Sequence, residues 1–507
     1  MRVLFVTSEV CSLAKTGGLA DVSRALPIAL KKQDIDVRLL LPGYPSALAQ
    51  VERPRAIARL APLLGISDAT LVVGRLPTSD VPVFLIDSPS LYRREGGLYL
   101  RSDGQEWPDN ALRFAFLSHV GAELAMERTC LGWQPDVVHA NDWHTGLLPL
   151  LLSREGGARP KTVFTVHNMA FQGNFSPEIL PAIGVPADCF LSGNIEYYGQ
   201  ASFLKAGLCY GDRLTTVSPT YAKEVITPEF GCGLDGLLRT RSASFSGILN
   251  GIDDASWDPA SDPYLPHLFR TGDIGGKKIC KAELQREFGL PVRADAPLIG
   301  FVSRLTHQKM ADVILDALPL IVERDAQFVL LGQGNSELEK DFVEAQAKYP
   351  GHVAAHIAYD EALAHRLQAG SDILLAPARY EPCGLTQLYA LRYGTLPVVR
   401  RTGGLADTVV DTSAATIIDR TATGFVFDNA NLISLITALD RALACYMEPL
   451  IWRRLQAQAM RQDFSWRSSA AQYAAYYNDL AGAPVPRLRY HVPSEDSALQ
   501  SVRQAAS

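Results

Sequence analysis

Short apolar, β-branched runs alternate with longer stretches of helical period from one end of the chain to the other. Residues 3–7, 37–41, 81–86, 136–139, 162–166 and 214–217 read as buried strands in the first half. Residues 298–303, 328–331, 373–376 and 396–399 do the same in the second. Strands that are apolar throughout, with helical segments between them, predict parallel sheets covered on both faces. The pattern restarts after Asn250-Gly251-Ile252-Asp253, a turn-forming break. The expected class is therefore α/β, with two doubly wound domains and a hinge near 250. The Pro/Ser/Gln/Ala-rich end of the chain is expected to be disordered or loosely attached.

Doubly wound sheets bind ligands beyond the carboxyl ends of their strands, and polar motifs gather at those positions. Lys15-Thr16-Gly17-Gly18 follows the first strand, and His139-Ala140-Asn141-Asp142-Trp143-His144 follows another. Val166-His167-Asn168 closes a third. In the second half Ser303-Arg304-Leu305-Thr306-His307-Gln308-Lys309, Gly332-Gln333-Gly334, Arg379-Tyr380-Glu381 and Arg401-Thr402-Gly403-Gly404 hold equivalent places. Polar groups converging on two facing sheet edges predict an active site between domains.

Composition narrows the field. A length of 507 residues calls for two or three cores. A 47% hydrophobic and 20% charged chain fits a globular protein in water. A net charge of −6 without a long basic run disfavours nucleic acid or an anionic membrane as the main partner. The eight cysteines, at 11, 130, 189, 209, 232, 280, 383 and 445, include no C-x-x-C pair. They point to reduced thiols and a cytoplasmic home. The expected start has no signal-peptide core, and no apolar run approaches the roughly 20 residues of a membrane span.

Each candidate residue has a chemical reason and a plainer alternative. Gly17 and Gly18 allow backbone N–H groups to approach an oxyanion, and Lys15 adds charge at a helix start. The same residues alone fit a Gly-rich connector with a solvated lysine. Pro27 is expected to kink the helix behind them. Arg304 and Lys309 could clamp a diphosphate and neutralise a departing leaving group, or simply pair at the surface. Glu381, in the turn before Pro382-Cys383-Gly384, could accept hydrogen bonds from sugar hydroxyls or offset charge at an anomeric carbon; a helix cap is the alternative. Cys383 has no readable Cys/His arrangement and suits contact better than nucleophilic attack. Asp142, Trp143, His144, His167 and Asn168 make a sugar-binding mixture. His139 and His144 lie five apart across a turn, and Asp34-Ile35-Asp36 precedes its strand, so no metal is expected.

These ordered motifs resemble the bacterial glycogen synthase and plant starch synthase family, glycosyltransferase family 5, over about residues 1–480. The resemblance also rests on Phe203-Leu204-Lys205-Ala206-Gly207, Val217-Ser218-Pro219-Thr220-Tyr221-Ala222, Gly231-Cys232-Gly233-Leu234-Asp235-Gly236, Glu381-Pro382-Cys383-Gly384-Leu385-Thr386-Gln387 and Arg401-Thr402-Gly403-Gly404-Leu405-Ala406-Asp407-Thr408. It implies a GT-B fold, two Rossmann-like domains facing across a deep cleft: 1–249 on the acceptor side and 250–464 on the nucleotide-sugar side. A helix over 465–485 would cross back to the first domain, with a tail over 486–507. It implies retaining transfer of glucose from ADP-glucose to the non-reducing end of an α-1,4-glucan, without a cofactor or metal.

Carried over by motif, Lys15 and Gly18 contact the donor, and Arg304 and Lys309 hold its diphosphate. Glu381, Cys383, Gly384 and Leu385 line the glucose site. His167 sits at the reaction centre with Asn168 beside it, and Asp142 stands on the glucose or acceptor side. Thr386 and Tyr389 flank the nucleotide. Met310 stands where the family commonly has glycine, which predicts a differently shaped Lys309 loop. A related transferase using UDP-glucose or a small acceptor, and a glucan-binding protein on a degenerate scaffold, are the competing readings. The intact Lys15, Arg304, Lys309 and Glu381 argue against the second.

Overall fold

The computed structural model describes residues 1–482 apart from positions 130 and 192. The expected tail over 486–507 lies outside the described residues. The first sheet begins with β1 (Arg2–Val6), β2 (Asp36–Pro42), β3 (Glu52–Arg59), β4 (Thr70–Arg75), β5 (Pro82–Asp87), β6 (Val137–Asn141) and β7 (Lys161–Val166). A small separate sheet follows, made of β8 (Asn174–Phe175), β9 (Glu196–Tyr197) and β10 (Gln200–Ser202) with β10 in the middle. Then β11 (Arg213–Thr216) and β12 (Phe245–Gly247) complete the first sheet, in the order β12-β11-β7-β6-β1-β2-β5-β4-β3.

The second sheet holds β13 (Leu298–Val302), β14 (Gln327–Leu331), β15 (Val353–His356), β16 (Ile373–Ala376), β17 (Leu396–Arg400) and β18 (Phe425–Phe427). It is parallel throughout, in the order β15-β14-β13-β16-β17-β18.

All ten strands expected from the apolar runs are present. Six of the eight additional ones lack that signal for physical reasons. β3, Glu-Arg-Pro-Arg-Ala-Ile-Ala-Arg, is an exposed antiparallel edge carrying Pro54, as edge strands do. β8, β9, β10, β12 and β18 are two or three residues long.

Strand order locates the site. The order of strand addition reverses at β1, which has β2 on one side and β6 on the other, and at β13, flanked by β14 and β16, all of them parallel. Crevices open at such switch points, and the loops after β1, β6, β13 and β16 carry the candidate residues. Register refines the placement: Asn141 at the end of β6 lies opposite Thr165 of β7. Asp142 and His167 therefore leave the sheet side by side.

The two chain passages between the sheets also run together. Ile252 N–H donates to the Phe464 carbonyl at 2.8 Å, and Ile252 bridges Ser465. A Cβ on Gly251 would stand 2.7 Å from the Trp466 nitrogen, so this approach requires glycine. The helix Trp466–Gly482 then returns to the first sheet and joins its core through Trp466, Ala470, Tyr473, Tyr477 and Leu480. Its Tyr477 hydroxyl lies 2.6 Å from His139 Nδ1, and His139 Nε2 lies 2.6 Å from Thr165 Oγ1. The helix Gly18–Lys31 runs through Pro27 as one element, so the expected kink does not divide it.

Candidate active site

The loop after β1 is shaped by a carboxylate that sequence reasoning passed over. Glu9 is 3% exposed. It accepts the Thr16 N–H at 2.6 Å, the Gly17 N–H at 3.2 Å and the Tyr99 hydroxyl at 2.9 Å. Burial raises its pKa, and those donors work against the rise. The helix Gly18–Lys31 starts directly behind this loop with no side chain capping it. A Cβ at Gly17 or Gly18 would meet nothing within 4 Å. The glycines thus leave open space in front of a helix N-terminus, where a phosphate is favoured. Lys15 pairs with Asp21 at 2.8 Å. Burial disfavours its charge, but Asp21 prevails and holds its pKa above the ordinary lysine value.

At the ends of β6 and β7, the His167 backbone N–H donates to Asp142 Oδ1 at 2.7 Å. Asp142 is held at φ 55, a left-handed conformation that costs a non-glycine residue on the order of 1–3 kcal/mol. Burial pushes its carboxyl up to about 7, against the N–H donors of His167 and Asn168. His167 Nε2 lies 3.0 Å from Asn141 Oδ1, while Asn141 Nδ2 donates to the Val6 carbonyl. That network assigns the proton to Nε2 and leaves Nδ1 as the acceptor. Burial lowers the His167 pKa to about 3, so the ring is neutral near pH 7.

One expectation at this edge is corrected. Trp143 and His144 do not offer a sugar-binding surface: they are 9% and 5% exposed, and His144 is stacked between Trp143 and Tyr99 at 4.0 and 4.5 Å. The Asn168 side chain closes a local turn by accepting the Ala170 N–H at 3.0 Å.

In the second domain, hydrogen bonds tie the loop after β13 to the end of β16. Arg379 N–H donates to the Gln308 carbonyl at 2.8 Å, and Gln308 Nε2 donates to the Tyr380 carbonyl at 3.1 Å. The Arg379 guanidinium grips Asp312 with both terminal nitrogens, at 2.9 and 2.8 Å. This stitching brings Lys309 Nζ into direct contact with Glu381 Oε2. Arg304, on the same loop, is exposed and makes no ion pair among the described residues. Met310 adopts φ 53 and is fully buried in the second core. The loop therefore takes, with a methionine, the left-handed conformation that glycine favours.

Glu381 begins a turn that is tightly backed. Gly403 and Gly404 have no room for a Cβ, which would stand 1.9 Å from the Glu381 carbonyl oxygen and 2.2 Å from that of Cys383. Gly384 has φ 73 and precedes the helix Thr386–Arg392, whose N-cap is Leu385. Burial pushes the Cys383 thiol up to about 12, so it is a thiol in contact with its surroundings and not a thiolate nucleophile. The Thr386 carbonyl accepts from Gln368 at 3.2 Å. Tyr389 has one ring face covered by Trp257, 3.7 Å away and nearly parallel.

The two walls meet. Lys15 is near enough to Glu361 of the second domain for the two charges to attract, with Tyr359 beside them. Tyr359 is 67% exposed, and its hydroxyl donates to Glu361. Neither residue stood out in the sequence; a tyrosine and an acid two positions apart in a loop carry no readable motif. The helices Pro219–Glu224 and Gly403–Thr408 bridge the domains reciprocally. Asp407 accepts the Thr220 N–H and hydroxyl at 2.9 and 2.6 Å, and Glu224 accepts the Gly403 N–H and Thr402 hydroxyl at 2.9 and 3.0 Å.

Among the described residues no three His, Cys, Asp or Glu side chains form a metal cage. Positive charge in the cleft comes from Lys15, Arg304 and Lys309. Such a cleft can bind an anionic donor, hold a carboxylate near a sugar, and support departure of a phosphate without breaking a bond in the protein.

Comparison with known proteins agrees with this geometry. Residues 2–240 match the family model for the starch synthase catalytic domain, and residues 285–458 match glycosyl transferases group 1. The glycogen synthase of Burkholderia thailandensis is 52% identical, over 97% of this chain and 92% of its own. That of Paramagnetospirillum magneticum is 50% identical, over 95% of this chain and 98% of its own. The catalytic domain of starch synthase IV from Arabidopsis thaliana, solved with ADP and acarbose, superposes with a TM-score of 0.85 at 34% identity. It covers 95% of this chain and 99% of that one. Sucrose-phosphate synthase from Thermosynechococcus elongatus shares the fold alone, with a TM-score of 0.56 at 15% identity. Two Rossmann-like domains around a cleft, the GT-B arrangement, and relatives alike over nearly their whole length lead to one statement: the chain belongs to the glycogen synthase and starch synthase family of glycosyltransferases.

Proposed function

We propose that this protein elongates an α-1,4-glucan by transferring glucose from ADP-glucose to its non-reducing end, with retention at the anomeric carbon and release of ADP. The observation that carries the reading is the Lys309–Glu381 contact, with Arg304 on the same loop in no ion pair among the described residues. Two cations and one carboxylate this close together support a site that a sugar diphosphate would span.

In this mechanism Arg304 and Lys309 take up the charge that develops on the diphosphate as the bond from glucose C1 to the phosphate oxygen breaks. The electron pair leaves with ADP. Glu381 faces the positive charge growing on the sugar. The acceptor O4 attacks from the side the phosphate leaves, and its proton passes to a phosphate oxygen, which balances the step. Lys15 and the helix N-terminus at Gly18 hold the donor from the opposite wall. Neutral His167 accepts a sugar hydroxyl at Nδ1, and Asp142 orders the acceptor. Closure about the paired passages at 250–252 and 464–466 would exclude water and limit donor hydrolysis. We place the protein in the cytoplasm and expect no metal requirement.

The test is incorporation of labelled glucose into glycogen from ADP-glucose or UDP-glucose, with EDTA present. ADP-glucose-dependent elongation is expected. Elongation from UDP-glucose alone, or activity abolished by EDTA and restored by a divalent cation, would overturn the donor or the metal-free part of the reading.

A further inference from the structure

The helix Glu361–Gly370 carries Glu361 and His365 four positions apart, and so on one face. His365 is buried and has an acid at each ring nitrogen. Its Nδ1 lies 2.7 Å from Asp262 Oδ2, and its Nε2 lies 3.8 Å from Glu361 Oε1. The Asp262 side chain is 0% exposed. It also accepts the Tyr393 hydroxyl at Oδ2 and the Tyr264 N–H at Oδ1, the latter at 2.9 Å. A carboxyl group held by three donors is ionised, so the proton between it and His365 belongs to Nδ1. Nε2 then either turns a lone pair towards the Glu361 carboxylate or carries a second proton. The second arrangement is the favourable one, and it makes His365 an imidazolium between two carboxylates. Burial disfavours that charge, but Asp262 first and Glu361 next prevail and hold the pKa above the ordinary histidine value.

The ring is locked in this orientation. Trp257 lies nearly parallel to His365 at 3.6 Å and to Tyr389 at 3.7 Å. Two parallel rings that close to one centroid cannot share a face, so Trp257 is packed between them. An imidazolium on an indole face is favoured in its own right. Glu361 is the open end of this set of contacts, its side chain 43% exposed. Its Oε2 accepts the Tyr359 hydroxyl. The His365 contact first, against burial, holds the Glu361 pKa down to about 2. Across the cleft, Glu361 is near enough to Lys15 to be attracted and to Asp21 to be repelled.

We propose that His365, seated on Asp262, is a positioning residue for the donor site: it holds the Glu361 carboxylate on the second domain and masks its charge, which keeps Glu361 off Lys15 and away from the donor's diphosphate. The inference rests on the function proposed above, in which Lys15 holds the donor. Without the imidazolium, Glu361 turns towards Lys15 and stands as an uncompensated negative charge beside the phosphates.

The test reads the Kd for ADP by titration calorimetry, the KM for ADP-glucose and for glycogen, and the melting temperature. His365→Gln should raise the Kd for ADP and the KM for ADP-glucose about fivefold, the upper end for a half-exposed ion pair, while kcat and the KM for glycogen hold. Adding Glu361→Gln should return both donor constants to within about twofold of the parent, because the charge that His365 masked is gone. A merely structural histidine would not be rescued by removing a carboxylate in the cleft. His365→Gln leaves Asp262 buried without its counter-charge and should melt lower. Asp262→Asn with His365→Gln therefore repeats both steps with no buried charge left, and the same loss and the same rescue are expected. Unchanged donor constants in both His365→Gln chains overturn the inference, and so does a loss that Glu361→Gln fails to reverse. If the parent binds ADP yet transfers no glucose, the proposed reaction falls, and the Kd series decides the role of His365 without turnover.

Discussion

Replacing Glu381 by glutamine should tighten ADP binding while it cripples transfer. The Glu381 and Lys309 side chains are only 12% and 20% exposed, so their contact lies between a surface pair and a buried one. Exposed pairs contribute about 0–1 kcal/mol, and breaking a buried one costs about 3–5 kcal/mol. An intermediate value on the order of 2 kcal/mol follows. A diphosphate approaching Lys309 must displace Glu381 or share the cation with it. Glu381→Gln removes that competitor at nearly constant shape. Unfolding free energy should fall by roughly 2 kcal/mol, because Lys309 is left without its counter-charge. The Kd for ADP should fall about 30-fold, the same 2 kcal/mol reappearing as affinity. Turnover should drop by roughly 100- to 1,000-fold, as losses of preorganised electrostatic groups do. Titration calorimetry with ADP, thermal melts and labelled-glucose turnover read the three quantities. ADP binding that is unchanged or weaker in Glu381→Gln would refute the claim that the carboxylate and the diphosphate contend for one lysine.

Lys15→Ala should raise the KM for ADP-glucose about tenfold with a smaller change in kcat, because it leaves Asp21 facing the donor unpaired; unchanged donor dependence would remove Lys15 from the donor site. Asp142, with its carboxyl pushed up to about 7, should give kcat/KM for glycogen an acid limb that rises to a plateau above about pH 7, and Asp142→Asn should flatten it. The sign for stability is opposite: the raised pKa favours the folded state below the ordinary carboxylate range, and this contribution is lost as pH rises through 7. Asp142→Asn should therefore melt higher than the parent at pH 8. Met310→Gly relieves roughly 1 kcal/mol of left-handed strain but deletes a fully buried side chain worth about 2–5 kcal/mol, so chemical denaturation should show a net loss of about 1–4 kcal/mol. Glu224→Gln with Asp407→Asn weakens the reciprocal helix contacts between domains; small-angle scattering without ADP should show a larger radius of gyration.

The sequence made the long apolar strands legible because burial on both faces leaves an unbroken hydrophobic signal. It also located the functional loops, since strand ends in a doubly wound sheet are the only edges from which side chains can converge on a ligand. What it concealed were pairings between distant positions. Nothing local marks Glu9 as the acceptor that shapes the Thr16-Gly17 turn, and nothing local joins Lys309 to Glu381 across 72 residues. Trp143 and His144 misled because motif chemistry is silent about depth: their faces are taken by Tyr99 and Phe114, from segments with no strand signal. Met310 shows the reverse case, in which a residue type that disfavours positive φ holds a left-handed conformation that glycine favours.

The returning helix Trp466–Gly482 also sets an order of assembly. Its Tyr473 and Tyr477 belong to the core of the first sheet, yet the ribosome makes them after both sheets have been synthesised. At translation rates of roughly 5–20 residues per second, the first domain waits on the order of 10 to 50 seconds between completing β12 and receiving this helix. During that interval His139 and the apolar surface beneath the helix are uncovered. The part of the molecule made first is thus completed late, and the nascent chain carries an open hydrophobic face that chaperones can engage until synthesis reaches this helix.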